Sequence, residues 1–203
     1  MSTIATLNEL RGCYPQPSER AVRKSLTKLD GHMRRFIGLS PFLCLGTSGD
    51  GGADVTPRGD SPGFVHVLDD QTLLIPDWPG NNRLDSLTNV VSNANVGLLF
   101  LIPGVNETLR VNGVAEVIME PALLERWTVN GKHPRSVMRV TVREAYLHCA
   151  KALMRSKLWN DDYRIERTEL PTYAQMLKDQ GVTTQSVEEL QASIDESYAT
   201  RLY

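Results

Sequence analysis

Apolar residues recur at steps of three and four at Val22, Leu26, Leu29, Met33 and Phe36 or Ile37, a spacing that predicts one amphipathic helix with Ser18 as its N-cap. Ser40-Pro41 stops it. The apolar run Phe42-Leu43-Cys44-Leu45-Gly46-Thr47 is then bounded by breakers, as a buried strand is. Ser48-Gly49-Asp50-Gly51-Gly52 supplies a tight reversal, and Ala53-Asp54-Val55-Thr56 returns as a second hairpin strand. Residues 64–68 and 72–75 repeat this design around Asp69-Asp70-Gln71, and residues 96–102, 108–118 and 137–147 are further β-rich runs.

Short strands joined by close turns, with brief helical inserts at 82–89 and 121–127, predict an antiparallel barrel with peripheral helices rather than a doubly wound sheet. The tail changes character: Thr172-x-x-Gln175 and Ser186-x-x-Glu189 have capping-box spacing, and each opens a helical pattern. No repeat or low-complexity linker separates it, so residues 1–203 read as a single domain with a helical extension.

Composition narrows the function. A formal net charge of −2 gives no long-range field for a polyanion, so nucleic acid is not expected as a partner. The stretch 96–105 is cut by Pro103 and Gly104, well short of the ~18–20 apolar residues needed to span a bilayer, so no membrane association is expected. Residues 1–11 lack the pattern of a secretion signal, and Cys13, Cys44 and Cys149 have no C-x-x-C spacing, which fits reduced thiols in a cytoplasmic protein. His32, His66, His133 and His148 are too scattered for a metal cluster to be expected.

Three segments carry candidate chemistry. In Asp54-Val55-Thr56-Pro57-Arg58-Gly59-Asp60 a strand runs into a loop whose arginine can grip an anion through paired hydrogen bonds; the same residues read equally as a solvated arginine on a turn. In Ile75-Pro76-Asp77-Trp78-Pro79-Gly80-Asn81-Asn82-Arg83 a strand ends and a helix is expected to open near Asn81 or Asn82. Backbone N–H groups, the two amides and Arg83 would converge there on one anion, or else Asn merely caps the helix beside an exposed Arg83. Lys151 and Arg155 are four apart and share a helix face, and Trp159 either covers a planar ring by stacking or fills core space. His148 and Cys149, adjacent on a strand, point to opposite faces and do not form a nucleophile–base dyad.

Taken together, Phe36-Ile37-x-x-Ser40-Pro41-Phe42, Asp54-Val55-Thr56-Pro57-Arg58-Gly59, Asn81-Asn82-Arg83, Arg110-Val111-x-Gly113 and His148-Cys149-x-Lys151-Ala152-x-x-Arg155-Ser156-x-Leu158-Trp159 resemble the pyridoxamine 5′-phosphate oxidase-related FMN-binding proteins. The resemblance implies a homodimeric antiparallel split β-barrel with FMN in a groove between subunits. It implies that Thr56, Pro57, Arg58, Asn81, Asn82 and Arg83 bind the cofactor, with Arg58 and Arg83 matching the phosphate-holding positions best. Ile75, Pro76 and Asp77 would run along the isoalloxazine edge, and Lys151, Arg155 and Trp159 would approach from the second subunit. The Arg-x-x-Leu-Leu-Lys strand motif after Arg58 and the terminal Arg-x-His pair of the vitamin B6 oxidases are absent, so the resemblance is to the branch defined by its cofactor rather than by that substrate. The activity it implies is an FMN-dependent oxidoreductase acting on a small-molecule redox substrate. A flavin- or haem-binding sensor or carrier without turnover is the alternative.

Overall fold

The computed structural model describes residues 3–203. Its centre is one mainly antiparallel sheet of seven strands: β1 (Phe42–Gly49), β2 (Gly52–Gly59), β3 (His66–Val67), β4 (Thr72–Asp77), β5 (Asn95–Leu101), β6 (Thr108–Ile118) and β7 (Ser136–His148), in spatial order β2-β1-β5-β6-β7-β4-β3. The predicted hairpin is present, with Phe42 opposite Gly59 and Gly49 opposite Gly52, and the reversal uses Gly52 at φ +100°. Strand alternation buries Leu43 and Leu45 on β1, Leu98 and Phe100 on β5, Leu109 and Val111 on β6 and Val140 and Val142 on β7. Side chains from β1, near one end of the sheet, and from β4, near the other, join the same apolar cluster, so the sheet curls around one core.

The curl does not close by hydrogen bonding among the described residues. β2 is one edge, and beyond Leu74 the outer side of β4 has no partner, because β3 covers only Leu73 and Leu74. Pro57 on β2 and Pro76 on β4 each remove an N–H donor from these edges, the position at which a sheet tolerates proline. A side-chain bridge links the two edges instead: Arg58 Nη1 donates to Asp77 Oδ1 at 2.6 Å.

The helices lie around the sheet: α1 (Leu7–Cys13), α2 (Glu19–Arg23), α3 (Gly31–Leu39), α4 (Asp85–Ser92), α5 (Pro121–Leu124), α6 (Lys151–Ser156), α7 (Tyr173–Asp179) and α8 (Val187–Thr200). The single helix expected over residues 22–37 is two. Ser18 caps α2, but the chain then leaves the helix because Leu26 exchanges both backbone hydrogen bonds with Ala145 at the end of β7, and Leu29 N–H goes to Asp70. Asp30 starts α3 afresh by accepting from Met33 N–H. Leu29, Met33 and Ile37 still reach the core, as their spacing requires, whereas Val22 is exposed. Thr172 and Ser186 cap α7 and α8 as expected, the second with a full capping box. No helix among the described residues is long and apolar enough to cross a membrane.

Candidate functional site

A cleft of about 530 Å³ lies between the β2 edge, the end of β4, the β4–α4 loop and the start of β7. That volume is in the range of small-molecule sites. Along β2 the half-buried positions are Asp54, Thr56 and Arg58, so strand alternation turns Thr56 and Arg58 to the cleft while the Pro57 ring faces the other way. Arg58 commits one guanidinium nitrogen to Asp77 and lines the cleft with the rest. Both partners are largely shielded, with side-chain exposures of 24% and 15%.

The β4–α4 loop forms the opposite wall. The helix expected to open near Asn81 or Asn82 begins at Asp85. Asn81 Oδ1 accepts from Arg83 N–H at 3.0 Å, and Asn82 and Leu84 adopt positive φ of 58° and 60°, so the intervening residues form a turn rather than a first helical turn. The amides therefore shape the loop that presents Arg83. Arg83 Nε donates to Asp85 Oδ2 at 2.8 Å, and that bond and charge, with Asp54 adding to them, hold the guanidinium still more firmly cationic. Among the described residues Asp85 is the one carboxylate with which Arg83 forms an ion pair.

Thr56, Arg58, Asp77, Asn81, Asn82 and Arg83 thus come together in one cleft. Pro57, Ile75 and Pro76 do not line it: the Ile75 side chain is 2% exposed in the core, and both prolines contribute backbone geometry only. Lys151 and Arg155 are exposed on α6 and also lie outside the cleft of their own chain. Trp159 is half-buried and donates its indole N–H to the Val105 carbonyl at 2.9 Å. A second depression of about 470 Å³, mostly apolar, opens on the outer face of the sheet, lined by Cys44, Val55, Leu99, Arg110, Cys149 and Leu153 among others. Val55 borders both cavities.

Arg135 and Ser136 lie in no sequence motif, and Trp78 lies inside the second candidate segment with no role assigned to it there. Ser136 stands opposite Asp77 in the β4–β7 register, Arg135 precedes it with its N–H on the Asp77 carbonyl, and Trp78 follows Asp77. Ser136 Oγ and Trp78 Nε1 are buried with no hydrogen-bond partner among the described residues. A buried polar atom without a partner carries a desolvation cost of ~1–3 kcal/mol, and both of these atoms belong to residues that line the cleft. Arg135 makes no ion pair among the described residues. Three arginines and three aspartates line the cleft, so its formal charges balance, and what it offers is the N–H groups that Arg58, Arg83 and Arg135 have beyond their ion pairs, donors suited to an acceptor-rich ligand.

A family model described as pyridoxamine 5′-phosphate oxidase matches residues 29–149. Among solved structures, HupZ of Group A Streptococcus is 16% identical with a TM-score of 0.50, covering 59% of this chain and 93% of that one. A Lactobacillus delbrueckii protein named for pyridoxamine 5′-phosphate oxidase is 18% identical with a TM-score of 0.48, covering 60% and 95%. An FMN-binding protein of Syntrophomonas wolfei is 13% identical with a TM-score of 0.44, covering 57% and 83%. At that identity the HupZ likeness is one of fold alone. No curated protein matches the chain.

Proposed function

Because this chain belongs to the pyridoxamine 5′-phosphate oxidase family, we propose that it is an FMN-dependent oxidoreductase, a homodimer whose open sheet is a split β-barrel with flavin in the cleft beside β2. The observation that carries this reading is the pair of unpartnered donors, Ser136 Oγ and Trp78 Nε1, on residues of the cleft that Arg58, Arg83 and Arg135 also line. FMN combines a dianionic phosphate with a ring rich in carbonyl and imine acceptors, so the residues present fit it.

In this reading Arg83, fixed by Asp85 and by the Asn81–Asn82 turn, and Arg58, fixed by Asp77, hold the phosphate through their remaining N–H groups. Thr56 adds a hydroxyl on the same face of β2, and the backbone of Ile75 to Asp77 runs along the ring edge. Ser136 and Trp78 donate to ring or ribityl oxygens. Lys151, Arg155 and Trp159 come from the partner subunit, where a cation favours negative charge on the ring. Bound flavin supplies the transfer of hydride or electrons between a small organic donor and its acceptor; the chain supplies position, charge and exclusion of water. The whole chain acts as one unit, with the segment after β7 as its helical extension.

Purified protein should carry FMN, identified by mass of the released ligand. Arg83→Ala should weaken FMN by ~1.5–3 kcal/mol while leaving riboflavin nearly unchanged, because only the phosphorylated ligand uses a charge-assisted contact. Titration of both ligands into both proteins measures the difference, and equal losses would remove the phosphate assignment. Steady-state oxidation of reduced nicotinamide by the flavin-loaded protein separates an oxidoreductase from a carrier.

A further inference from the structure

We infer that Tyr203 is a positioning residue for the cleft, holding the Trp78 indole in the wall by bridging three segments of its rim. Its ring meets Trp78 edge-on, with centroids 4.9 Å apart and planes at 80°. Its phenol donates to Asp60 Oδ1 at 2.8 Å, just past the end of β2, and its main-chain oxygen accepts from Lys132 Nζ at 2.6 Å in the connection between β6 and β7. These segments lead directly into the strands and loop that supply Arg58, Trp78 and Ser136. Trp78 packs with its inner side on Leu74, Trp127 and Val137, so Tyr203 closes the side the apolar cluster leaves open.

Tyr203 does not itself line the cleft and acts through Trp78. The indole nitrogen has no hydrogen-bond partner among the described residues, so no polar contact there anchors it. Orientation comes from packing on one side and the near-perpendicular tyrosine ring on the other, an arrangement aromatic pairs favour because the positive edge of one ring meets the negative face of the other. The hydrogen bond to Asp60, with burial and the carboxylate charge, raises the Tyr203 phenol above its usual value and keeps it a donor.

The role in ligand binding rests on the flavin reading, but the positioning of Trp78 does not, and the experiment separates them. The full chain is labelled with 5-fluorotryptophan, and the Trp78 fluorine resonance is assigned by its loss in Trp78→Phe. In ligand-free Tyr203→Ala that resonance should shift and broaden while those of Trp127 and Trp159 stay in place. Riboflavin and FMN should both lose about three- to tenfold in affinity. Tyr203→Phe, which keeps the ring edge and loses the bond to Asp60, should lie between. An unmoved Trp78 resonance in Tyr203→Ala overturns the proposal, as does a moved resonance with both affinities unchanged. If the alanine variant disturbs all three resonances, the phenylalanine variant decides, and it must move Trp78 alone. Failure of the wild-type chain to bind flavin would sink the function proposed above, while the ligand-free spectra would still judge the tyrosine's hold on Trp78.

Discussion

Ser136 shows how a single atom can hold a residue's function apart from its contribution to the fold. It is 4% exposed, and its hydroxyl is buried with nothing to bond. Ser136→Ala removes an unsatisfied group, so the ligand-free protein should gain up to ~1 kcal/mol while flavin binding weakens by ~0.5–1.5 kcal/mol. Denaturant unfolding of the free protein and a flavin titration measure the two effects, and their opposite signs are the expected result. His66 makes a prediction of another kind. Its ring stacks on Trp127 at 4.2 Å and shares a shallow depression with Arg34 and Arg126. Burial first, and then the Arg126 charge, push its pKa below the usual 6.5. Because the folded state resists a proton that the unfolded chain accepts, the stabilisation is present above the unfolded value and is lost as pH falls through the lower folded one. Melting temperature should therefore decline on mild acidification, and His66→Phe, which retains the stack, should lose that component of the decline.

Among the elements, the β6–β7 pair explains a glycine that the motif alone does not. Pairing runs from Thr108 with His148 to Asn112 with Glu144, then slips so that Gly113 faces Val142. At this bulge a Cβ on Gly113 would strike the Thr141 carbonyl, which is backbone and cannot swing aside. Gly113→Ala should cost ~1–3 kcal/mol, read as a lower denaturant midpoint. The bulge also re-aims the far half of β7, where Glu144 accepts from Ser25 and Asn112 and so fastens the segment between α2 and α3 to the sheet. That fastening is why a continuous three-four spacing of apolar residues yields two helices. The periodicity was legible, but the competing backbone bonds from Leu26 to Ala145 lie 119 residues away in sequence and leave no local mark.

For the whole molecule, Lys151 and Arg155 project from α6, outside the cleft that gathers Arg58 and Arg83, and the outer sheet face bears an apolar depression next to that helix. A two-fold dimer in which each cleft borrows the partner's α6 makes every site twice. In a mixed dimer of an Arg58→Ala, Arg83→Ala subunit with a Lys151→Ala, Arg155→Ala subunit, one site collects all four substitutions and the other stays intact. Its FMN content should reach about half of wild type, above either poorly binding parent, once separately tagged subunits are co-expressed and isolated. Binding no better than the parents would place the site within one subunit. What the sequence determined by itself was the strand and turn order, the core faces of the strands and of α3, and the short segments around Arg58 and Asn81–Arg83 that line the cleft. These depend on alternation, capping and steric limits acting over short stretches of chain. The remainder of the cleft was decided by tertiary structure. Arg135 and Ser136 enter it only because the β4–β7 register sets Ser136 against Asp77, and Trp78 faces it between an apolar cluster and Tyr203. Such neighbours are fixed by long-range pairing and by the curl of the sheet around its core, which no local pattern of residues records.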